Sequence, residues 1–174
     1  MKNVTKHLAL TILGFAFSIA AFGQNTATAT AASSALIYAP IAISSDADMN
    51  FGTVVANSTT AGSVLLATTG VRTPTTVTVL ASGAGAAAHF NVTGNPSTTF
   101  AISFDNATIT LTETVSGTET MTVGTFAHDE GATPTLSATG TADFYVGGTL
   151  NVGANQAPGL YENASDLSVT VNYN

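Results

Sequence analysis

The sequence has 174 residues with no cysteine and no tryptophan, and its ten acidic residues against three Lys and Arg give a net charge of −7. This length suits one ordinary domain with a buried core, and without cysteine that domain has no disulfide to stabilise it. The negative charge argues against nucleic acid and anionic membranes as partners, because binding to either requires a cationic surface.

The first 23 residues are predicted to be a secretory signal peptide. Lys2 and Lys6 form a short positive region, an apolar run occupies residues 8–22, and the small residue Gly23 precedes a predicted cleavage site ahead of Gln24. The apolar run is too short and too diluted with polar residues for a membrane span. We therefore expect an exported protein of the periplasm, cell surface or extracellular space, with no membrane span after cleavage.

Residues 24–34 are predicted to be a flexible N-terminal extension. Ala and Thr alternate from Thr26 to Ala31, and no side chain there is large enough to bury itself independently. A second interpretation is a strand that becomes ordered only against a partner. Ten extended residues reach roughly 33 Å, which is enough to cross a β-sandwich.

From residue 35 onward, short runs of alternating apolar residues are separated by turn residues, which is typical of β-strands. The predicted strands are Ala35–Ser44, Asp46–Val55, Ser63–Thr68, Thr75–Leu80, a strand through Phe90 and Val92, Phe100–Phe104, a strand through Ile109 and Leu111, another through Met121 and Val123, a short strand near Leu136, Ala142–Val152 and Leu167–Asn174. Residues 35–174 are therefore predicted to be an all-β domain, an antiparallel two-sheet β-sandwich with immunoglobulin-like topology. A small β-barrel is the alternative.

Four local features refine this pattern. Pro40 lacks an N–H group and places the first strand at an edge or a bulge, and TGVRTP, which ends at Pro74, is predicted to be a turn. The alternation slips before Phe126, which indicates a β-bulge. The strand 142–152 keeps its alternation through Gly147 and Gly148, which indicates a bend or the close approach of another segment there.

The last predicted strand has the strictest alternation in the sequence. Leu167, Val169, Val171 and Tyr173 share one face, which we expect to be buried, whereas Ser168, Thr170 and Asn172 share the other. A long edge strand in a sheet protein is either covered or used for pairing. We therefore expect this strand to form an assembly edge.

One stretch resembles the opening of a calcium-binding loop. Asp46, Asp48 and Asn50 have the required spacing, but Phe51 stands where the loop needs glycine and Asn57 stands where it needs a bidentate glutamate. We therefore interpret these residues as a polar turn and predict no metal site.

No catalytic constellation is visible. His128, Asp129 and Glu130 precede a stretch rich in turn residues and are predicted to lie in a solvated loop, and His89 has no neighbour in sequence that suggests a nucleophile. We therefore expect no enzymatic activity, no catalytic residues and no cofactor.

Several motifs together resemble an uncharacterised family of bacterial secreted β domains. They are Phe51-Gly52, the F-x-V-G-G-T-L of Phe144–Leu150, the sequence Pro158–Tyr161 and the terminal V-T-V-N-Y ending at Tyr173. The pattern is also similar to spore coat protein U domains and chaperone–usher pilins. Those proteins are sandwiches that lack a final strand, which the N-terminal extension of a neighbouring subunit supplies.

The resemblance implies a pilin-like fold and assigns positions to an assembly edge. Tyr173 matches the penultimate tyrosine of these subunits, and Gly159 or Tyr161 falls close to where pilins place a glycine in the last strand. It implies a non-enzymatic structural or adhesive surface protein, a subunit of a pilus, fimbria or surface assembly, whose partners are copies of itself or other surface subunits. The alternative is a stand-alone extracellular module that binds a ligand such as a glycan.

Overall fold

A computed structural model of the chain describes residues 26–163 and 167–174. The chain divides into two units, Met1–Leu36 and Ile37–Asn174. In the first unit, residues 26–36 have no regular secondary structure and are exposed. The predicted signal peptide and its cleavage site lie outside the described residues. Across the described part of the chain, no helix is long and apolar enough to cross a membrane.

The second unit is built from β-strands, which confirms the predicted all-β class. Its strands are β1 (Ala42–Ala47), β2 (Val54–Val55), β3 (Gly62–Leu66), β4 (Arg72–Thr75), β5 (Thr78–Val79), β6 (Ala88–Thr93), β7 (Phe100–Phe104), β8 (Thr108–Glu113), β9 (Thr120–His128), β10 (Thr141–Val152), β11 (Tyr161–Glu162) and β12 (Val169–Tyr173). All of their pairings are antiparallel.

Eight of these strands form one sheet in the order β1-β6-β10-β9-β8-β11, with β3 pairing β10 and β4 pairing β3. The strands β12 and β7 form a separate two-stranded sheet, and so do β2 and β5. Residues from β1, β6, β10, β9 and β8 all line one cleft, so the large sheet curls around it. This arrangement is consistent with either a β-sandwich or a β-barrel.

The long strand β10 is the centre of the sheet, because it pairs with three others. Its first half pairs with β6 from Thr141 to Val146, and its second half pairs with β3 from Gly148 to Val152, along the same edge. Gly147 lies between these two halves, at the changeover from the partner strand β6 to the partner strand β3. A Cβ atom at Gly147 would come within 2.2 Å of the carbonyl oxygen of Leu66. The predicted close approach at the glycine pair is therefore confirmed, and its partner is the end of β3.

The buried residues form two core clusters, each of which joins residues of the large sheet to residues outside it. The first contains Phe51, Val64, Leu66, Val77, Ile109, Val123, Leu150 and Val152. The second contains Ala88, Phe90, Val92, Phe100, Leu136, Phe144, Val146 and Val171. The alternating positions of β10 thus contribute to both clusters, as the period of two predicts.

The predicted bulge before Phe126 is also confirmed. The pairing of β10 with β9 shifts between Gly147, which faces Ala127, and Thr149, which faces Gly124. Thr125 occupies the left-handed region with φ of 52°, which accommodates the extra residue.

The first predicted strands have different boundaries in the structure. The strand predicted over Ala35–Ser44 begins only at Ala42, because Pro40 offers no N–H group and the preceding residues have no partner strand in the described part of the chain. Of Asp46–Val55, only the end forms β2, since Gly52 has a φ of 65° and turns the backbone. Pro74 lies in β4 rather than in a turn, and β4 pairs only with β3, so the missing N–H group is tolerated at an edge.

Other differences concern the middle of the chain. The strand predicted over Thr75–Leu80 is interrupted at Thr76, whose φ is 67°. The strand predicted near Leu136 is reduced to an isolated bridge between Thr99 and Thr135, although Leu136 is buried as a core residue.

Candidate functional site

A cleft of about 1180 Å³ lies on the inner face of the curled sheet. Its floor is apolar and comes from three neighbouring strands, with Ile109 and Leu111 of β8, Met121 of β9, and Leu150 and Val152 of β10. The volume exceeds the roughly 300–1,000 Å³ of most small-molecule sites. The cleft therefore has room for a peptide segment as well as for a small ligand.

Strand β8 borders this cleft and has an incompletely paired edge. On the side away from β9 it pairs with β11 only at Thr112 and Glu113. No strand among the described residues pairs with Thr108–Leu111 on that side, although the side-chain amide of Asn163 donates a 2.7 Å hydrogen bond to the carbonyl oxygen of Thr110. Main-chain groups therefore lie next to the apolar floor, an arrangement that suits strand addition.

The terminal strand β12 pairs with β7 along one edge, from Val169 opposite Phe104 to Tyr173 opposite Phe100. Its other edge has no strand partner within residues 26–163 and 167–174. Of the predicted inward residues, Val171 is buried, whereas Leu167, Val169 and Tyr173 are half-buried and pack against the core. Leu167 also lines the cleft, so the terminal segment touches it only at its beginning.

The opposite face of β12 is less exposed than the alternation predicts. Asn172 is exposed, but Ser168 and Thr170 are half-buried. Both hydroxyl groups donate hydrogen bonds to the carboxylate of Asp105, which follows β7. These hydrogen bonds, of which the one from Ser168 has the larger effect, lower the pKa of Asp105 from its ordinary value of 3.8.

Gly159 and Tyr161, the other predicted assembly residues, lie near β8 rather than in β12. A Cβ atom at Gly159 would come 2.5 Å from Cγ of Glu113, so this glycine permits a close approach between the loop and β8. Glu113 accepts a hydrogen bond from the backbone N–H of Ser116, which lowers the pKa of the Glu113 carboxyl group. Tyr161 lines the cleft, and its hydroxyl donates a 2.8 Å hydrogen bond to the carbonyl oxygen of Ala157.

The structure corrects the interpretation of His128. It ends β9 rather than lying in a solvated loop, and its ring packs against Phe104 and Phe144 with ring centroids 6.0 and 6.2 Å away. Asp129 accepts a 2.8 Å hydrogen bond from the backbone N–H of Tyr145. His128 follows the inward-facing Phe126 by two residues, so its position agrees with the alternation of β9. The polar residues Asp129 and Glu130 next to it in the sequence favoured the prediction of a loop instead.

Arg72 is a further residue whose role the sequence did not reveal. Its guanidinium donates hydrogen bonds to the carbonyl oxygens of Phe51, at 2.9 Å, and Leu80, at 2.8 Å. Arg72 thereby joins the segment that precedes β2 to the residue that directly follows β5. The sequence did contain one indication of this role, since Arg72 is the only Lys or Arg after residue 23.

Comparison with known proteins places the chain in a family. A model for a domain of unknown function, DUF4402, matches residues 41–173. No curated protein and no solved structure matches the chain significantly. The matched range includes β10, the cleft and the terminal strand, and it covers most of the sequence. The chain therefore belongs to the DUF4402 family, as the resemblance to an uncharacterised domain family predicted.

Proposed function

We propose that this protein is an exported, non-enzymatic structural or adhesive subunit of a bacterial surface assembly. The observation that carries the proposal is the coexistence of an open apolar cleft, a neighbouring strand edge at Thr108–Leu111 that pairs with no described strand, and exposed apolar residues in the segment before β1. Leu36 and Ile37 are 82% and 88% exposed. An isolated domain gains nothing from two such side chains in water, whereas a neighbouring copy offers them an apolar surface.

The proposed acceptor is the edge of β8. A strand added along Thr108–Leu111 would continue the antiparallel sheet and direct alternate side chains towards the cleft, because Ile109 and Leu111 already point there. The terminal strand β12 also has one edge that pairs with no strand in the described part of the chain, but Val169 and Val171 pack in the second core cluster and do not line the cleft. The cleft therefore favours β8 over β12 as the acceptor.

The proposed donor is the segment from Thr26 to Ile37. The Ala/Thr leader alone would bury only small side chains, whereas of the adjacent, exposed Leu36 and Ile37 one would face the cleft and add a large side chain. Twelve extended residues span roughly 40 Å. Burial of a large aliphatic side chain is worth about 1.5–3 kcal/mol, so the residue that faces the cleft would contribute more to binding than any side chain of the leader. The similarity to spore coat protein U domains and chaperone–usher pilins supports the same mode of assembly.

Charge substitutions in the donor test the proposal. The double variant Leu36→Asp and Ile37→Asp alters exposed side chains, so the monomer should unfold at the same denaturant concentration as the wild type. Its assemblies should be lost in light scattering after size-exclusion chromatography. Val115→Asp is the matched control, because Val115 is 91% exposed in the turn between β8 and β9. If wild type, double variant and control are all monomers, assembly is refuted and a stand-alone ligand-binding module becomes the better account.

Disulfide trapping distinguishes the two edges, because the chain has no cysteine of its own. A donor cysteine at Ala35 or Ile37 is mixed with an acceptor cysteine at Thr110 in β8 or at Asn172 in β12, both of which are exposed. Cross-linked dimers through Thr110→Cys support the proposed edge. Dimers only through Asn172→Cys would move the acceptor to the terminal strand, and no dimers with either would contradict strand addition.

A further inference from the structure

Three side chains from neighbouring strands converge on the outer face of the large sheet, away from the cleft. Asp46 comes from β1, His89 from β6 and Asp143 from β10. One carboxylate oxygen of each aspartate and one ring nitrogen of His89 lie within 4.8 Å of one another. We propose that Asp46, His89 and Asp143 bind a divalent transition-metal ion, with Zn²⁺ as the best fit.

The two carboxylates lie beside different nitrogens of the His89 ring. Nε2 of His89 lies 3.5 Å from Oδ1 of Asp143, and Nδ1 lies 3.7 Å from Oδ2 of Asp46. Both distances exceed those of ordinary hydrogen bonds. Two ligands bound tetrahedrally to one Zn²⁺ at 2.0–2.2 Å are roughly 3.4 Å apart. An ion bound to Nε2 would therefore be shared with Asp143 directly, and the exposed Asp46 side chain would have to turn towards Nε2 to become the third ligand.

The surroundings hold two of these side chains in place. The ring of Tyr145 stacks on His89 with centroids 4.5 Å apart and planes 16° apart. The side-chain amide of Asn91 donates a 2.9 Å hydrogen bond to Oδ1 of Asp143, the same oxygen that faces Nε2 of His89, and so orients the carboxylate. Neighbours that orient metal ligands in this way are a common feature of metal sites.

Asp46 is the extra residue of a β-bulge. The pairing of β1 with β6 shifts between Ser45, which faces Phe90, and Ala47, which faces His89. A bulge inserts one residue without a cross-strand partner and redirects its side chain. In this case the redirected side chain is the carboxylate beside His89.

The charge of the cluster also favours a cation. Arg72 is the only Lys or Arg after residue 23, and its guanidinium is bound to the carbonyl oxygens of Phe51 and Leu80. Among the described residues, no Lys or Arg side chain forms an ion pair with either carboxylate. The imidazole nitrogen favours Zn²⁺ over Ca²⁺ and Mg²⁺, which prefer oxygen ligands, and water would complete the coordination.

The test uses the protein purified without a polyhistidine tag and titrated with ZnCl₂ by calorimetry at neutral pH. We expect one Zn²⁺ per chain, a rise in Tm that saturates with the same midpoint, and no comparable rise with Ca²⁺ or Mg²⁺. His89→Gln, Asp46→Asn and Asp143→Asn should each weaken binding roughly tenfold or more, since even the loss of an outer partner costs 10–100-fold.

Two controls make the result specific. His128→Phe removes another histidine in an apolar environment, and Asp48→Asn removes an exposed carboxylate close to Asp46 in sequence. Both should bind Zn²⁺ like the wild type, and circular dichroism of each variant without metal checks folding. The absence of saturable binding, unchanged binding in any of the three ligand variants, or loss of binding in His128→Phe would overturn the proposal.

Discussion

The hydroxyl group of Tyr173 donates a 2.8 Å hydrogen bond to the carbonyl oxygen of Ala39 and accepts a 2.6 Å hydrogen bond from the backbone N–H of Asn95. Its ring also meets the ring of Tyr38 edge-on, with centroids 5.9 Å apart. One side chain of β12 therefore joins the segment before β1 to the segment after β6. The penultimate tyrosine singled out in the sequence thus has a structural role within its own chain.

Tyr173→Phe keeps the ring and removes both hydrogen bonds. We expect the free energy of unfolding to fall by about 1–3 kcal/mol, because the N–H group of Asn95 loses its partner. Urea denaturation measures the change. Tyr145→Phe is the control, since the Tyr145 side chain is partly exposed and its ring contact with His89 is retained. Equal losses in the two variants would show that the hydroxyl bonds contribute little.

The register of β12 is tested by two aspartate substitutions. Val171 is 8% exposed and belongs to the second core cluster, so Val171→Asp buries an unpaired charge and should remove most of a total stability of about 5–15 kcal/mol. Asn172→Asp changes an exposed neighbour and should stay within about 0.5 kcal/mol of the wild type. Thr170 is unsuitable as the control, because its hydroxyl contacts Asp105. Similar unfolding midpoints for the two variants would refute this register.

Features encoded by local alternation were predictable from the sequence. Phe144, Val146, Leu150 and Val152 are buried in β10 as the period of two requires, and the slip before Phe126 corresponds to a bulge. Such patterns follow from which side of one strand meets water, so they need no knowledge of the neighbouring strands.

Features that depend on strand order were not predictable. The strands β7 and β8 are separated by only three residues, yet β7 pairs with β12 and β8 pairs with β9. The cleft and the convergence of Asp46, His89 and Asp143 follow from the order β1-β6-β10, which joins strands far apart in the chain. Pairing of distant strands is decided by the fit of whole faces rather than by any local residue pattern.

Gly147 provides a test of the changeover in β10. A Cβ atom there would come within 2.2 Å of the carbonyl oxygen of Leu66, a main-chain atom that cannot move without disturbing β3. Gly147→Ala should therefore lower the free energy of unfolding by about 1–3 kcal/mol. Gly131→Ala is the matched control, because a Cβ atom at Gly131 has nothing within 4 Å. Thermal or urea denaturation of both variants decides the point, and an unchanged Gly147→Ala protein would contradict the close packing of β10 on β3.

The contact of Asp105 with Ser168 and Thr170 predicts how stability depends on pH. The two hydroxyl bonds lower the pKa of Asp105 in the folded state below its ordinary value of 3.8. The carboxylate therefore contributes stability that is fully present above that ordinary value and is lost as the pH falls through the lowered pKa. Asp105→Asn should be less stable than the wild type at neutral pH and should approach the wild type in strong acid.

Urea denaturation of both proteins across the acidic range measures this difference, with Asp48→Asn as an exposed control whose difference from the wild type should stay small. A difference between Asp105→Asn and the wild type that is independent of pH, or that grows as the pH falls, would show that Asp105 does not hold the start of β12 through its charge.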